Sequence, residues 1–194
     1  HAWPGADAGV AGPGRDGHTA ADAGHDSQNA GDVTMERGAV ISPCGKYRYR
    51  LHRRWGEGPT CAFIMLNPST ADADLDDPTI RRCIGFAKRE QCGALLVVNL
   101  FAYRATDPDE LFAATDPEGP ENDQHFLRIR LFMSGRIIAA WGAHPAAAKQ
   151  HSRIVRSFKY AGLMCLGTTK SGAPRHPLYV KGDAPLTPYP GDRP

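Results

Sequence analysis

Apolar and polar positions along the chain alternate in two distinct rhythms. Residues 46–51 (KYRYRL) switch between polar and apolar at every step, the period of a half-buried strand near a sheet edge. Residues 61–66 (CAFIML) form a continuous apolar run, as expected of a strand covered on both faces, and the run stops at Asn67-Pro68-Ser69-Thr70. Behind Asp77-Pro78, a cap followed by a first-turn proline, Ile80, Cys83, Ile84 and Ala87 recur at helical spacing until Gly93. Residues 94–100 predict a second buried strand, 136–141 a third and 163–166 a short fourth. Helices are predicted over 121–133, with Phe126, Ile129 and Phe132 or Met133 facing inward, and over 146–160, with Ile154, Val155 and Phe158 inward. The stretch from Pro108 to Pro120 reads as loop. Apolar strands alternating with amphipathic helices predict an α/β fold, a three-layer α/β/α arrangement around a mainly parallel central sheet.

Composition divides the chain before it says anything of chemistry. Residues 1–34 hold seven Gly and eight Ala with few large apolar side chains, too little to offset the entropy of ordering, so a disordered tail is expected there. Residues 35–194 are expected to form a single α/β domain, with Met35, at the head of the first segment of ordinary composition, as a translation start. Without the tail the balance is 22 Lys or Arg against 16 Asp or Glu, a surplus of six positive charges that favours anionic partners. No apolar run is long enough for a membrane-spanning helix, and no signal segment is visible. Five cysteines without CxxC spacing argue against a disulfide framework, a zinc site or an iron–sulfur cluster. The expectation is a cytoplasmic protein with free thiols, no metal and no cofactor.

In open parallel sheets ligands bind beyond the carboxyl ends of the strands. The predicted strand ends carry Asn67-Pro68-Ser69-Thr70 followed by four aspartates, then Asn99-Leu100-Phe101 with Tyr103 and Arg104, then Trp141-Gly142-Ala143-His144. The last strand leads to Thr168-Thr169-Lys170-Ser171-Gly172 and Arg175-His176-Pro177. Such a rim suits a planar ring with a polar edge and a phosphate. Each part also has a structural reading. Asn-Pro is turn chemistry, the aspartates favour the following helix N-terminus, Trp141 suits a core, and His144 and His151 fall at surface positions of a helix. His176, between Arg175 and Pro177 in a Gly/Pro-rich loop, is the least easily explained by structure alone.

The segments MLNPSTAD, DDPTIRRC, VVNLFAYRATDP, GPEND, AWG and TKSGAPRHPLY together resemble a family of bacterial and phage proteins catalogued only as a domain of unknown function. A more distant resemblance is to the uracil-DNA glycosylase superfamily. It rests on the order of an Asn-Pro turn, an Asn-Leu strand end, a Trp-Gly strand end and a late His-Pro loop. The Gly-Gln-Asp-Pro-Tyr and His-Pro-Ser-Pro motifs of its best-known branch are absent. That resemblance implies a glycosylase-like fold and hydrolytic excision of an unmodified or modified base from duplex or single-stranded DNA. By position, Asn67 would orient the attacking water with help from Asp72 or Asp76, and His176 would stabilise the departing base. Asn99 would read the base edge and Phe101 or Tyr103 would stack on it. Ser69, Arg104, Trp141, Lys170 and Arg175 complete the expected substrate contacts, the cations on phosphates.

Two other classes use the same rim. One is an enzyme acting on free nucleotides or nucleotide-like metabolites, with the 72–77 acidic cluster holding Mg²⁺ beside substrate phosphates. The other is a non-catalytic nucleic-acid-binding protein in which His176 and the cations only grip phosphate.

Overall fold

The computed structural model of the protein describes residues 34–69, 71–133, 135–158 and 161–190. The tail expected over 1–34 falls, Thr34 apart, outside the described residues, as do positions 159 and 160 at the end of the last predicted helix. In chain order the strands and helices are β1 (Glu36–Ile41), β2 (Arg48–Arg54), β3 (Thr60–Met65), α1 (Pro78–Arg89), β4 (Ala94–Asn99), α2 (Pro108–Ala113), α3 (Asn122–Phe132), β5 (Ile137–Ala139), α4 (Ala147–Phe158) and β6 (Met164–Cys165). A 3-10 turn (Pro177–Tyr179) and β7 (Thr187–Pro188) complete the order.

The strands form one sheet in the order β1-β2-β4-β3-β5-β6-β7. Its centre is parallel: β3 pairs with β4 and β5, and β5 with β6. Its flanks are antiparallel, β1 with β2, β2 with β4, and β6 with β7. The sheet is therefore mixed, and the mainly parallel three-layer α/β/α fold of glycosylase type is overturned. The reason lies in the connections. A parallel neighbour needs a crossover of about a dozen residues or more, and only residues 55–59 separate β2 from β3. That short link reverses the chain, so β2 runs against β3 and against β4, the parallel partner of β3.

Side chains of β3 alternate between two cores. Cys61, Phe63 and Met65 join Ile80, Cys83, Phe86 and Ala87 of α1, with Leu95 and Val97 of β4. Ala62 and Ile64 join Val98, Phe126 and Ile129 of α3, and Ile154 and Phe158 of α4. Each of the buried Ile, Leu, Val, Phe and Met side chains among these contributes about 1.5–3 kcal/mol by leaving water. Helix α1 begins as its sequence dictates: the Asp77 carboxylate accepts the Ile80 N–H at 2.8 Å, and Pro78 occupies the first turn. After α1 the chain passes so close to the β2–β3 link that a Cβ on Gly93 would stand 2.1 Å from the Glu57 carbonyl oxygen. Only glycine fits there. All five cysteines are free thiols, Cys44 exposed and the others buried. Among the described residues no helix is long and apolar enough to cross a membrane.

Candidate functional site

Because β4, β3, β5 and β6 are parallel, the segments that follow them leave one edge of the sheet. Residues after β5 and β6 enclose a cleft of about 700 Å³ there. Its walls are Trp141 to Pro145, Ala147, Ala148 and His151 on one side and Thr168 to Ala173 with Pro190 on the other. Among the described residues the lining includes Lys170, two histidines and three hydroxyl side chains but no carboxylate, so its electrostatic bias is toward an anion.

Several local features shape this cleft. Gly142, with φ of 79°, turns the chain sharply after Trp141 and donates its N–H to the Pro174 carbonyl at 3.0 Å. The Thr168–Thr169 segment is closed by a 2.8 Å bond from the Thr169 N–H to the Ala173 carbonyl, and the Thr169 and Ser171 hydroxyls lie 2.9 Å apart. The half-buried His144 stacks on Phe112 with ring centres 4.9 Å apart. Trp141, His151 and Tyr189 meet edge to face at 5.7–6.0 Å. The Tyr189 hydroxyl donates to the Gly172 carbonyl at 3.2 Å and lies 3.2 Å from Nδ1 of His151.

The structure divides the residues expected from the sequence. Trp141 and Lys170 line the cleft. Arg175 is tied to its rim through a 3.1 Å bond from Nε to the Thr168 carbonyl. His176 packs behind Gly142, where an added Cβ would lie 3.7 Å from the His176 Cβ. His176 Nδ1 accepts the Leu178 N–H at 3.3 Å, and burial pushes its pKa down against an opposing pull from Asp77. It is therefore neutral at pH 7 and carries no charge into the site.

The others have different surroundings. The Asn67 amide donates to the carbonyls of Pro68 at 3.0 Å and Ala105 at 2.7 Å, and Ser69 is half-buried on the same turn. One Asp72 oxygen accepts the N–H groups of Asp74 and Leu75 at 3.0 and 2.9 Å, and these bonds hold its carboxyl below the usual range. Asp76 is held between Arg53 and Arg37. Asn99 is 1% exposed, and neither amide atom has a hydrogen-bond partner among the described residues. Phe101 is buried against Phe112, Tyr103 meets the Tyr47 ring edge-on at 5.8 Å, and Arg104 reaches the Gly45 carbonyl at 3.4 Å. None of these lines the cleft. Among the described residues no group of three or more His, Cys, Asp or Glu is arranged to hold a metal ion, the 72–77 segment included.

The sequence reading left out Tyr189 and set His144 and His151 aside as surface positions of a helix, whereas both histidines line the cleft. No local signal marks His151, since its setting depends on a tyrosine 38 residues away.

Fold and site together define a mixed α/β domain with a cation- and hydroxyl-lined cleft at the carboxyl edge of its parallel strands. The chain belongs to the family described as "Protein of unknown function (DUF1643)", which it matches over residues 48–178, more than half its length. No curated protein and no solved structure matches it, so the expected likeness to the uracil-DNA glycosylase superfamily finds no support there.

Proposed function

We propose that the protein is an enzyme that binds a phosphate-bearing nucleotide, or a nucleotide-like metabolite, in the carboxyl-edge cleft. The observation that carries this reading is the lining: Lys170, His144, His151, Thr168, Thr169 and Ser171, with no carboxylate among the described residues, in a volume of about 700 Å³. Ligand pockets for small molecules span about 300–1,000 Å³, so a single nucleotide fits. Lys170 and the hydroxyls would hold phosphate, and His151, 3.2 Å from the Tyr189 hydroxyl, would serve as the proton-transferring group. The five free thiols support a reducing compartment, the cytoplasm.

Excision of a base from DNA is the second reading. The position of a neutral His176 beside the cleft and the surplus of positive charge favour it. Against it, the Asn67 amide and the Asp72 and Asp76 carboxylates, the groups needed to activate water, are engaged within the fold.

The test is calorimetric titration with inorganic phosphate and with nucleoside mono-, di- and triphosphates, on the wild type and on Lys170→Ala. Saturable binding that weakens about ten-fold in Lys170→Ala is expected, the worth of one charge-assisted hydrogen bond. No nucleotide binding, together with base release from DNAs of varied base content, would replace this reading with excision. Salt-steep DNA binding with no product on any substrate would replace both with a non-catalytic binder.

A further inference from the structure

Tyr179 is 81% exposed and its neighbour Leu178 42% exposed. The turn that carries them is nonetheless firmly built. Pro177 and Val180, on either side of the pair, are buried, and Arg82 of α1 donates to both of their carbonyls. His176 closes the turn from within, its Nδ1 taking the Leu178 N–H and its carbonyl the Tyr179 N–H at 3.0 Å. The His176 and Tyr179 rings lie 5.5 Å apart at a tilt of 46°, which leaves Tyr179 propped on one side. A rigid pedestal thus presents an aromatic ring to solvent.

Cations predominate along the chain that carries it, with Asp183 just beyond and Asp77 acting on His176 beneath the ring. From Gly167 to Gly182 the chain carries Lys170, Arg175 and Lys181 and no Asp or Glu, and all three cations are exposed. Arg175 also joins the pedestal to the cleft, because its N–H meets the Gly167 carbonyl at 3.0 Å and its guanidinium the Thr168 carbonyl. The cleft and the exposed ring therefore share one cationic margin.

We propose that this margin is a binding surface for single-stranded nucleic acid, with a base stacked on Tyr179 and the backbone following Lys181, Arg175 and Lys170 toward the cleft. An anionic chain with a planar ring at every unit matches both features, and only a base outside a duplex can offer its face to the tyrosine. The inference deepens the nucleotide reading of the cleft, on which it rests for the destination of the strand, but different residues carry it.

The test is fluorescence anisotropy with a labelled twelve-residue oligothymidylate, beside calorimetry with thymidine monophosphate. Tyr179→Ala is expected to weaken oligonucleotide binding about ten-fold, as loss of one stacked base does, and Tyr179→Phe to restore it. Arg175→Ala and Lys181→Ala should each lower the slope of log affinity against log salt by about 0.7. Monophosphate binding should be the same in Tyr179→Ala as in the wild type.

Equal oligonucleotide affinity in Tyr179→Ala and wild type overturns the proposal and leaves the cleft reading standing if the monophosphate binds. Preference for the duplex form of the same sequence also overturns it, as does self-association that Tyr179→Ala abolishes. Tyrosine-dependent oligonucleotide binding without any monophosphate binding supports the surface and removes the cleft as a nucleotide pocket.

Discussion

The Arg53 guanidinium, wholly shielded from solvent, stands 2.8 Å from one oxygen of Asp76, whose other oxygen meets Arg37 at 2.9 Å. Arg53 also donates to the carbonyls of His52 and Asp72, so one cation fastens β2 to the loop ahead of α1. Removing Asp76 leaves that cation buried without its counter-charge. Asp76→Ala is expected to lose about 3–5 kcal/mol in urea unfolding, the cost of breaking a buried pair from one side. A catalytic carboxylate would give the opposite pattern, with activity lost and the unfolding midpoint kept.

His125 supplies the pH dependence. Burial, with Arg50 and Arg128 nearby, lowers its pKa from 6.5 to about 4, while its ring stacks on Tyr49 at 4.9 Å. In the unfolded chain the imidazole binds its proton near pH 6.5, before the folded form does, so protons favour unfolding. Stability should be insensitive to this group above that pH and fall as pH drops toward about 4. In His125→Phe, which keeps the stack, that part of the slope should vanish from a series of denaturant melts.

Two buried asparagines behave as opposites. Asn122 donates to the carbonyls of Asn99 and Leu100 at 3.0 and 3.2 Å, whereas the Asn99 amide finds no partner among the described residues. Asn122→Leu should cost about 1–3 kcal/mol by orphaning those carbonyls, and Asn99→Leu should be neutral or stabilising. Thermal melts of the two variants decide it.

Gly93→Ala places a methyl group against the backbone of residues 56 and 57, which no side-chain rotation can relieve. A loss of about 1–3 kcal/mol is expected in denaturant unfolding. Gly85→Ala, where a Cβ meets nothing within 4 Å, serves as the control and should be neutral or better.

Local chemistry was legible in the sequence, and pairing was not. Asp77 and Pro78 mark the start of α1 because capping is settled within four residues. The runs in β3 and β4 stand out because both faces of those strands are covered. The helix expected over 121–133 is observed as Asn122–Phe132. Strand β1 escaped because its outer half is exposed and no apolar period marks it, and α2 is too short for a face to repeat. Strand direction was misjudged because hydrophobicity reports coverage and not orientation, and the length of the 55–59 link was the overlooked clue. Within the candidate site, Trp141 and Lys170 could be anticipated from their place after strands. The Asp72 and Asp76 carboxylates were not recognisable as fold-stabilising groups, because Arg53, the partner of Asp76, lies 23 residues away.

One wall of the cleft comes from residues 168–173 and 190, and the turn at 177–180 is gripped by Arg82, almost a hundred residues earlier. A ribosome that has delivered β1 to α4 has thus released β3, β4 and β5 of the parallel centre but only half a receptacle. Whatever the protein holds, it cannot begin to hold it until residues 168–190 have folded back across α1.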